Sequence, residues 1–255
     1  MTTPYEIRQG TSPVILGFPH TGTSVPAEIA DRLNDNGRIL ADTDWHIHHL
    51  YDGLLDDVTV VRATFHRYVI DANRDPAGVS LYPGQNTTGL IPETDFDGKA
   101  IWKDGQGPDQ ADIAARLRDF HAPYHAALAA EIERVRAIHG VAILYDCHSI
   151  RSHIPFLFEG KLPDFNIGTD MGKTCDSAIE QATLTVVEAA EGTTARSTAA
   201  SRAAGRHAIM ESRKPVCTRS RWSLRNPRIC RPRQCPSPTT PPRRTGFASI
   251  SKIFW

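Results

Sequence analysis

The sequence is short of several things. Nowhere does it run to the roughly 18–20 consecutive apolar residues of a membrane-spanning helix, so no span of that kind is expected. Its first residues, Met1-Thr-Thr-Pro-Tyr-Glu6, offer neither a basic start nor an apolar stretch. A secretory signal is therefore not expected, and the expected location is cytoplasmic. Five cysteines without paired spacing argue against a disulfide framework. There is no phosphate-cradling Gly-rich loop and no dinucleotide fingerprint, which argues against a nucleotide cofactor. Ser149 has no Gly-x-Ser-x-Gly turn around it, so Ser-His-Asp catalysis is the weaker reading. Acids are nearly missing from the last part of the chain. Residues 193–255 carry 12 Arg and 2 Lys against a single acid, Glu211, a net of +13. Residues 1–192 carry 15 basic and 28 acidic residues, a net of −13. The zero net charge of the whole averages two unlike pieces.

What is present has the pattern of an α/β protein. At 255 residues and 40% apolar content the chain can bury one large domain or two small ones. Val141-Ala-Ile-Leu-Tyr-Asp-Cys-His-Ser149 is an unbroken apolar run ending in a polar cluster, the mark of a strand buried on both faces. Val14–Phe18 and Val58–Ala63 read as further strands, and His66–Asp71 as another that ends in a turn at 72–76. Pro26–Leu33 reads as a short helix with Pro near its start. Trp45, Ile47, Leu50, Leu54 and Leu55 have helical spacing, with Asp42, Thr43 or Asp44 as the N-cap. Residues 77–108 are rich in Gly, Pro, Asn and Thr and read as a long loop or lid with at most a short hairpin. A helical pattern follows from Asp109 to Ile138. Pro123 is expected to break or kink it, and Gly140 to stop it. Cys175–Ala190 is helical, and beyond residue 192 periodicity disappears.

Three apolar runs are followed by polar residues: His20 after the first strand, Asn73-Arg74 after a later one, and His148-Ser149 after the central one. In a parallel sheet such ends line one edge and can converge. Two neutral imidazoles and a carboxylate form a common ligand set for catalytic zinc, which acidifies bound water to a pKa of about 7 and polarises carbonyls. Asp44 is the best-placed carboxylate, with Asp42 competing. Each has a plainer alternative: His20 as a turn residue, Asp44 as a helix cap, His148 as a strand cap. His46, His48 and His49 point in several directions and are poor ligand candidates. Asp146 reads as a supporting carboxylate, and Cys147 as a small core residue facing away from His148. Arg74 is the strongest anchor for a carboxylate substrate, because a planar guanidinium grips one with two bonds. A surface ion pair is its alternative.

Five stretches, in this order, resemble the N-formylglutamate amidohydrolase (deformylase) family. They are Pro19-His20-Thr21-Gly22; Thr43-Asp44 with Leu50-Tyr51; His66-Arg67 with Asp71-Ala-Asn73-Arg74; Asp146-Cys-His148-Ser149; and Asp164-Phe-Asn-Ile-Gly168-Thr169. The likeness runs from about residue 5 to 192. It implies a three-layer fold like that of zinc carboxypeptidases, also termed phosphorylase/hydrolase-like, with a mixed, mainly parallel sheet and helices on both faces. It implies Zn2+, or another divalent metal, held by His20, Asp44 and His148. It also implies a small-molecule substrate, N-formyl-L-glutamate, hydrolysed to formate and L-glutamate at the last step of one route of histidine breakdown. Asn73 and Arg74 would hold one substrate carboxylate, with Arg67 and Arg151 as candidates for the second. A glutamate acting as general base is expected further on. A related zinc deacylase with another N-acyl amino acid is the alternative within this class.

The departure from the family lies in the tail. The Arg-His-Tyr-Gly and Gln-Met-Glu-Leu stretches expected there are absent, and Glu211 stands outside the family context. A disordered basic tail that binds nucleic acid is one reading. No aromatic-interleaved basic motif supports it, since Trp222 is the only aromatic residue between 193 and Phe247. A shifted reading frame explains the tail better. Read from the third base of the Val216 codon, suitable codons for Val216 to Ser223 give Val-His-Ala-Ile-Gln-Met-Glu. The same shift of 206–212 permits Arg-His-Tyr-Gly-Val. The sequence thus divides into a catalytic part, 1–192, and an out-of-frame part, 193–255, with the break near Gly192-Thr193. The expected outcome is an unstable chain with little or no deformylase activity and no general base in place. Two measurements check it: steady turnover of N-formylglutamate by the purified chain would contradict it, as would DNA showing an unbroken family frame past codon 193.

Overall fold

The computed structural model describes residues 3–77, 88–169, 172, 174–197 and, as backbone, 210–212. The chain opens with strand β1 (Tyr5–Arg8) and the fully buried β2 (Val14–Phe18). Three single-turn helices follow, α1 (Ala27–Ala30), α2 (Asp35–Arg38) and α3 (Ile47–Leu50), then β3 (Thr59–Ala63). Next come α4 (Gln110–Arg116), a π-helical turn (Leu117–His121) and the long α5 (Ala122–His139). The central strand β4 (Ile143–Cys147), β5 (Phe165–Gly168), α6 (Ser177–Glu188), β6 (Ala195–Ser197) and β7 (Met210–Ser212) complete it.

The seven strands form one mixed sheet in the order β1-β3-β2-β4-β7-β5-β6. Pairs β2–β3, β2–β4, β5–β6 and β5–β7 are parallel, while β1–β3 and β4–β7 are antiparallel. This is the mainly parallel α/β architecture expected. Alternation along β2 sorts its side chains onto two faces. Ile15 joins Val61, Ala63 and Leu144 against Tyr124, Leu128 and Val135 of α5 and Ile29 of α1. Val14, Leu16 and Phe18 join Tyr145 and Cys147 against Ile47 of α3. On that second side the Tyr145 hydroxyl lies 3.2 Å from Thr183 Oγ1 of α6. Both faces are covered, which is why β2 and β4 read as apolar runs rather than alternating ones.

Several elements differ from what the sequence suggests. His66–Asp71 is a turn, not a strand. The His66 ring Nδ1 accepts the Tyr68 N–H at 3.0 Å, and the Val69 N–H reaches His66 O at 2.9 Å, so the chain coils on itself instead of pairing. The helix expected over 45–55 is the one turn Ile47–Leu50, with His46 left-handed (φ 62°) before it and no side-chain cap. Asp44 therefore does not cap it. The expected division at Pro123 takes the form of two helices, α4 and α5, joined through the π-helical turn. Pro123 sits in the first turn of α5 and the helix widens just before it, the Ala122 N–H reaching back to Leu117 O. A widened turn accommodates the ring and its missing N–H without ending the helical run. Gly140 closes α5 in the left-handed conformation (φ 72°), as expected. Residues 88–108 contain no helix or named strand, only bridges such as Thr94–Ala100. Residues 78–87 of the expected loop lie outside the described residues. The segment beyond 192 is not wholly without structure, since β6 and β7 belong to the sheet and β7 lies between β4 and β5. Among the described residues no helix is long and apolar enough to cross a membrane.

One polar staple ties α4 to the loops beneath it. Arg32 donates to both carboxylate oxygens of Asp112 at 2.8 Å and to the carbonyls of Gln106 and Gly107. The hydrogen bonds from Arg32 hold the Asp112 carboxyl well below the usual carboxylate range. A depressed carboxylate stabilises the fold above its unfolded pKa of about 3.9 and loses that effect as pH falls toward its folded value. Asp112→Asn is therefore expected to cost about 1 kcal/mol at pH 7. Urea unfolding should show the gap between variant and parent closing below about pH 4.

Candidate metal centre

Strands β2 and β4 are parallel neighbours with Gly17 opposite Asp146. Both end at the same edge of the sheet, so His20 and His148, just past those ends, meet with ring centroids 4.8 Å apart. Gly17 leaves room there for the Asp146 side chain. A Cβ on it would stand 2.4 Å from Asp146 Oδ1. Asp44 arrives from the loop before α3, its N–H bonded to His20 O at 3.0 Å. The ligating atoms of His20, Asp44 and His148 all lie within 4.8 Å of one another, and it is the only such group of three or more His, Cys, Asp or Glu among the described residues.

Each side chain is aimed by a second contact. His20 turns Nε2 to Asp71 Oδ1 at 2.7 Å and leaves Nδ1 3.8 Å from Asp44 Oδ2. His148 turns Nδ1 to Asp44 Oδ2 at 3.0 Å and Nε2 to the Asn73 amide at 3.3 Å. Burial, followed by the nearby Arg67 charge, lowers the His20 pKa to about 4, so the ring is neutral near pH 7. Burial also pulls His148 down, but the hydrogen bond and charge of Asp44, with Asp146 behind, outweigh it and raise its pKa. A neutral imidazole held from behind by a carboxylate is how metal-binding histidines are oriented. Among the buried polar atoms with no hydrogen-bond partner in the described residues are Thr21 Oγ1 next to His20, His66 Nε2 and Arg67 Nε; others, such as His48 Nδ1 and Thr174 Oγ1, lie elsewhere. Unsatisfied buried groups are uncommon in a finished interior, and three of them lie in segments that flank the centre.

The remaining candidates fall in different places. Arg74 is partly buried and bonds Thr88 O, Thr88 Oγ1 and Asn73 O, using three of its five N–H groups among the described residues. Arg67 is buried, pairs with Asp71 Oδ2 at 2.5 Å and stacks over Phe96 at 4.7 Å. Arg151 is half exposed and pairs with Asp97, away from the cluster's hydrogen bonds. Asp42 is taken by the Tyr68 hydroxyl at 2.8 Å and the Phe96 N–H, which leaves the cluster to Asp44. His48 and His49 stack on each other at 4.0 Å, outside the cluster. Cys147 is a buried core residue.

The residue that sequence reasoning missed is Asp71. It is fully buried and accepts from His20, Arg67 and the Asn73 N–H at 2.8 Å. Burial alone would raise its pKa, but Arg67, His20 and Arg74 hold the carboxyl well below its usual range. The signal was there: an acid flanked by Arg67 and Arg74, four and three residues away.

Gly22, at the end of the loop that carries His20, is packed against rigid backbone. A Cβ there would lie 2.4 Å from Phe65 O and from Thr64 C. Gly22→Ala is expected to cost about 1–3 kcal/mol of stability, as overpacking does. Chemical denaturation beside the tolerant control Gly107→Ala, which has nothing within 4 Å and no positive φ, reads the difference.

The family model of N-formylglutamate amidohydrolase matches residues 12–209. The N-formylglutamate deformylase of Pseudomonas aeruginosa is 41% identical over 186 residues, which cover 72% of this chain and 70% of that protein. The protein of the same name from Pseudomonas putida is 44% identical over 174 residues, covering 68% of this chain and 65% of the relative. In fold the chain is similar to a crystal structure of N-formylglutamate amidohydrolase from Ralstonia eutropha JMP134, with a TM-score of 0.64 at 21% identity, covering 84% of this chain and 86% of that one. With the family model spanning most of the sequence and two relatives above 40% identity, the chain belongs to the N-formylglutamate amidohydrolase family.

Proposed function

We propose that this chain is built as a metal-dependent N-formylglutamate deformylase, in which water cleaves the formyl C–N bond of N-formyl-L-glutamate to give formate and L-glutamate. The observation that carries the reading is the convergence of His20, Asp44 and His148 at one sheet edge, in a member of this family. Zn2+ fits the donor set, two imidazoles and one carboxylate. When bound, it supplies a Lewis acid that polarises the formyl carbonyl and acidifies water. The chain's own residues do the rest. Asp71 fixes the His20 ring so that Nδ1 faces Asp44. Asn73 and Arg74, side by side on the next loop, would hold a substrate carboxylate. Arg67 keeps a buried positive charge near the acids and serves as an internal counter-charge rather than a surface anchor. N-formylglutamate carries two carboxylates, and exposed Arg151 is the candidate for the second.

The proton shuttle is the part this chain lacks in family form. A general-base glutamate has to take the water's proton and pass it to the leaving nitrogen. The proposed frame break near Gly192-Thr193 displaces the segment that would bring it. Metal binding and turnover should thus separate. Metal analysis is expected to find about one zinc per chain, lost in His20→Ala and in His148→Ala. Turnover should be slight, and restored when codons after 192 are put back in frame. Formyl-, acetyl- and succinyl-glutamate, compared in the restored protein, test the acyl group, with preference for formyl expected. A chain that binds no zinc before and after restoration would overturn the mechanism.

A further inference from the structure

One helical run reaches the backbone of the Asn73 loop three times. Arg116, at the end of α4, donates to Val69 O at 3.1 Å. His121, closing the π-turn, places Nε2 3.2 Å from Arg74 O. His125, one turn into α5, places Nε2 2.8 Å from Ala72 O. The two rings pack together with centroids 4.3 Å apart. A carbonyl only accepts, so in both rings Nε2 carries the proton and donates. The two acceptors flank Asn73, whose own N–H is held by Asp71 and whose carbonyl takes Arg74. The π-turn makes this possible. One extra residue in a turn rotates α4 by about 100° relative to α5, so that Arg116 and the two histidines all face one segment. A pocket of about 10 Å³, room for one water, lies beside the clamp and is bordered by Asn73, His125 and Asp146.

The held residue leads to the metal centre, because the Asn73 amide meets His148 Nε2 at 3.3 Å. If His148 gives Nδ1 to a metal, Nε2 keeps its proton, and Asn73 must present its amide oxygen to it. The oxygen and nitrogen ends of an amide are interchangeable by a flip. We propose that His121 and His125 are positioning residues, a two-histidine clamp that fixes the Asn73 backbone so that the Asn73 amide sets the ring and tautomer of His148. The inference rests on the metal-centre reading given above. It assigns a metal-directed task to two histidines outside the His20, Asp44 and His148 set.

The test uses the full chain, with His121→Phe and His125→Phe made singly and together. Phe keeps a ring and removes the donor. His121→Gln and His125→Gln keep an amide donor at similar reach. Amide hydrogen exchange reads the clamp, and titration with Co2+ alone, followed by its visible absorption, reads the centre. The double Phe variant is expected to exchange faster over 69–76 while 14–18 and 143–147 keep their protection. Its Co2+ affinity is expected to fall about tenfold, the lower end for lost outer contacts of a metal site, with the Gln variants within about threefold of the parent. Unchanged exchange over 69–76 would overturn the clamp. Loosening there with unchanged Co2+ affinity would overturn its link to His148. Equal losses in Phe and Gln variants, spread over the whole chain, would reduce both histidines to packing and overturn the proposal. A parent chain that takes no Co2+ refutes the metal centre itself, while exchange over 69–76 still decides the clamp.

Discussion

The site depends on one buried carboxylate. Asp71 is sealed from water, yet it stays ionised because Arg67, His20 and Arg74 surround it and the Asn73 N–H points at it. Four otherwise separate requirements meet there: the orientation of His20, the charge balance of Arg67, the turn that begins at residue 71, and the placing of Asn73. A buried ion pair is a poor source of stability, because desolvation offsets much of the attraction. Removing one partner is another matter, since it strands the rest. The arrangement thus favours fixed geometry over stability, and geometry is what a ligand set requires.

The sheet supplies the other half of that geometry. Parallel β2 and β4 deliver two histidines to one edge without any loop having to find the other. The glycine at position 17 lets a second carboxylate, Asp146, sit between the strands where a methyl group would collide with it. The loop before α3 then brings Asp44 in by a single backbone bond to His20 O. The acids Asp42 and Asp44 are two residues apart and both buried, but opposite neighbours claim them, Tyr68 in one case and His148 in the other.

Much of this was legible in the residues. The buried strands β2 and β4 were plain because their apolar runs are continuous. The convergence of His20 and His148 followed from placing polar residues after strand ends, whereas Asp44 was expected from a helix start and joins them from a loop. What was not legible had several causes, beginning with side chains that bond backbone locally. His66 folds its own segment into a turn that its β-branched neighbours do not announce. The single-turn α3 is shorter than its apolar spacing suggests, because Asp44 is drawn to His148 instead of capping. Pro123 reads as a break or kink between two helices, and what it does not announce is the π-helical turn that joins them. The short strands β6 and β7 have no hydrophobic period, and β7 is defined only by the strands on either side of it.

The parallel pairing of β2 with β3 and β4 also bears on how the chain acquires its site. Asp44 and His148 are 104 positions apart, and His20 and Asp71 are 51 apart. No local segment holds two of the cluster's three ligating residues in their final relation. Loop closure over such distances is entropically unfavourable until the sheet is largely assembled, and topologies rich in distant pairings fold slowly. The meeting of His20, Asp44 and His148 is therefore a late product of folding: a partly folded chain would present isolated histidines with no ion-binding geometry, and an ion taken up by the candidate centre would report that the sheet has closed.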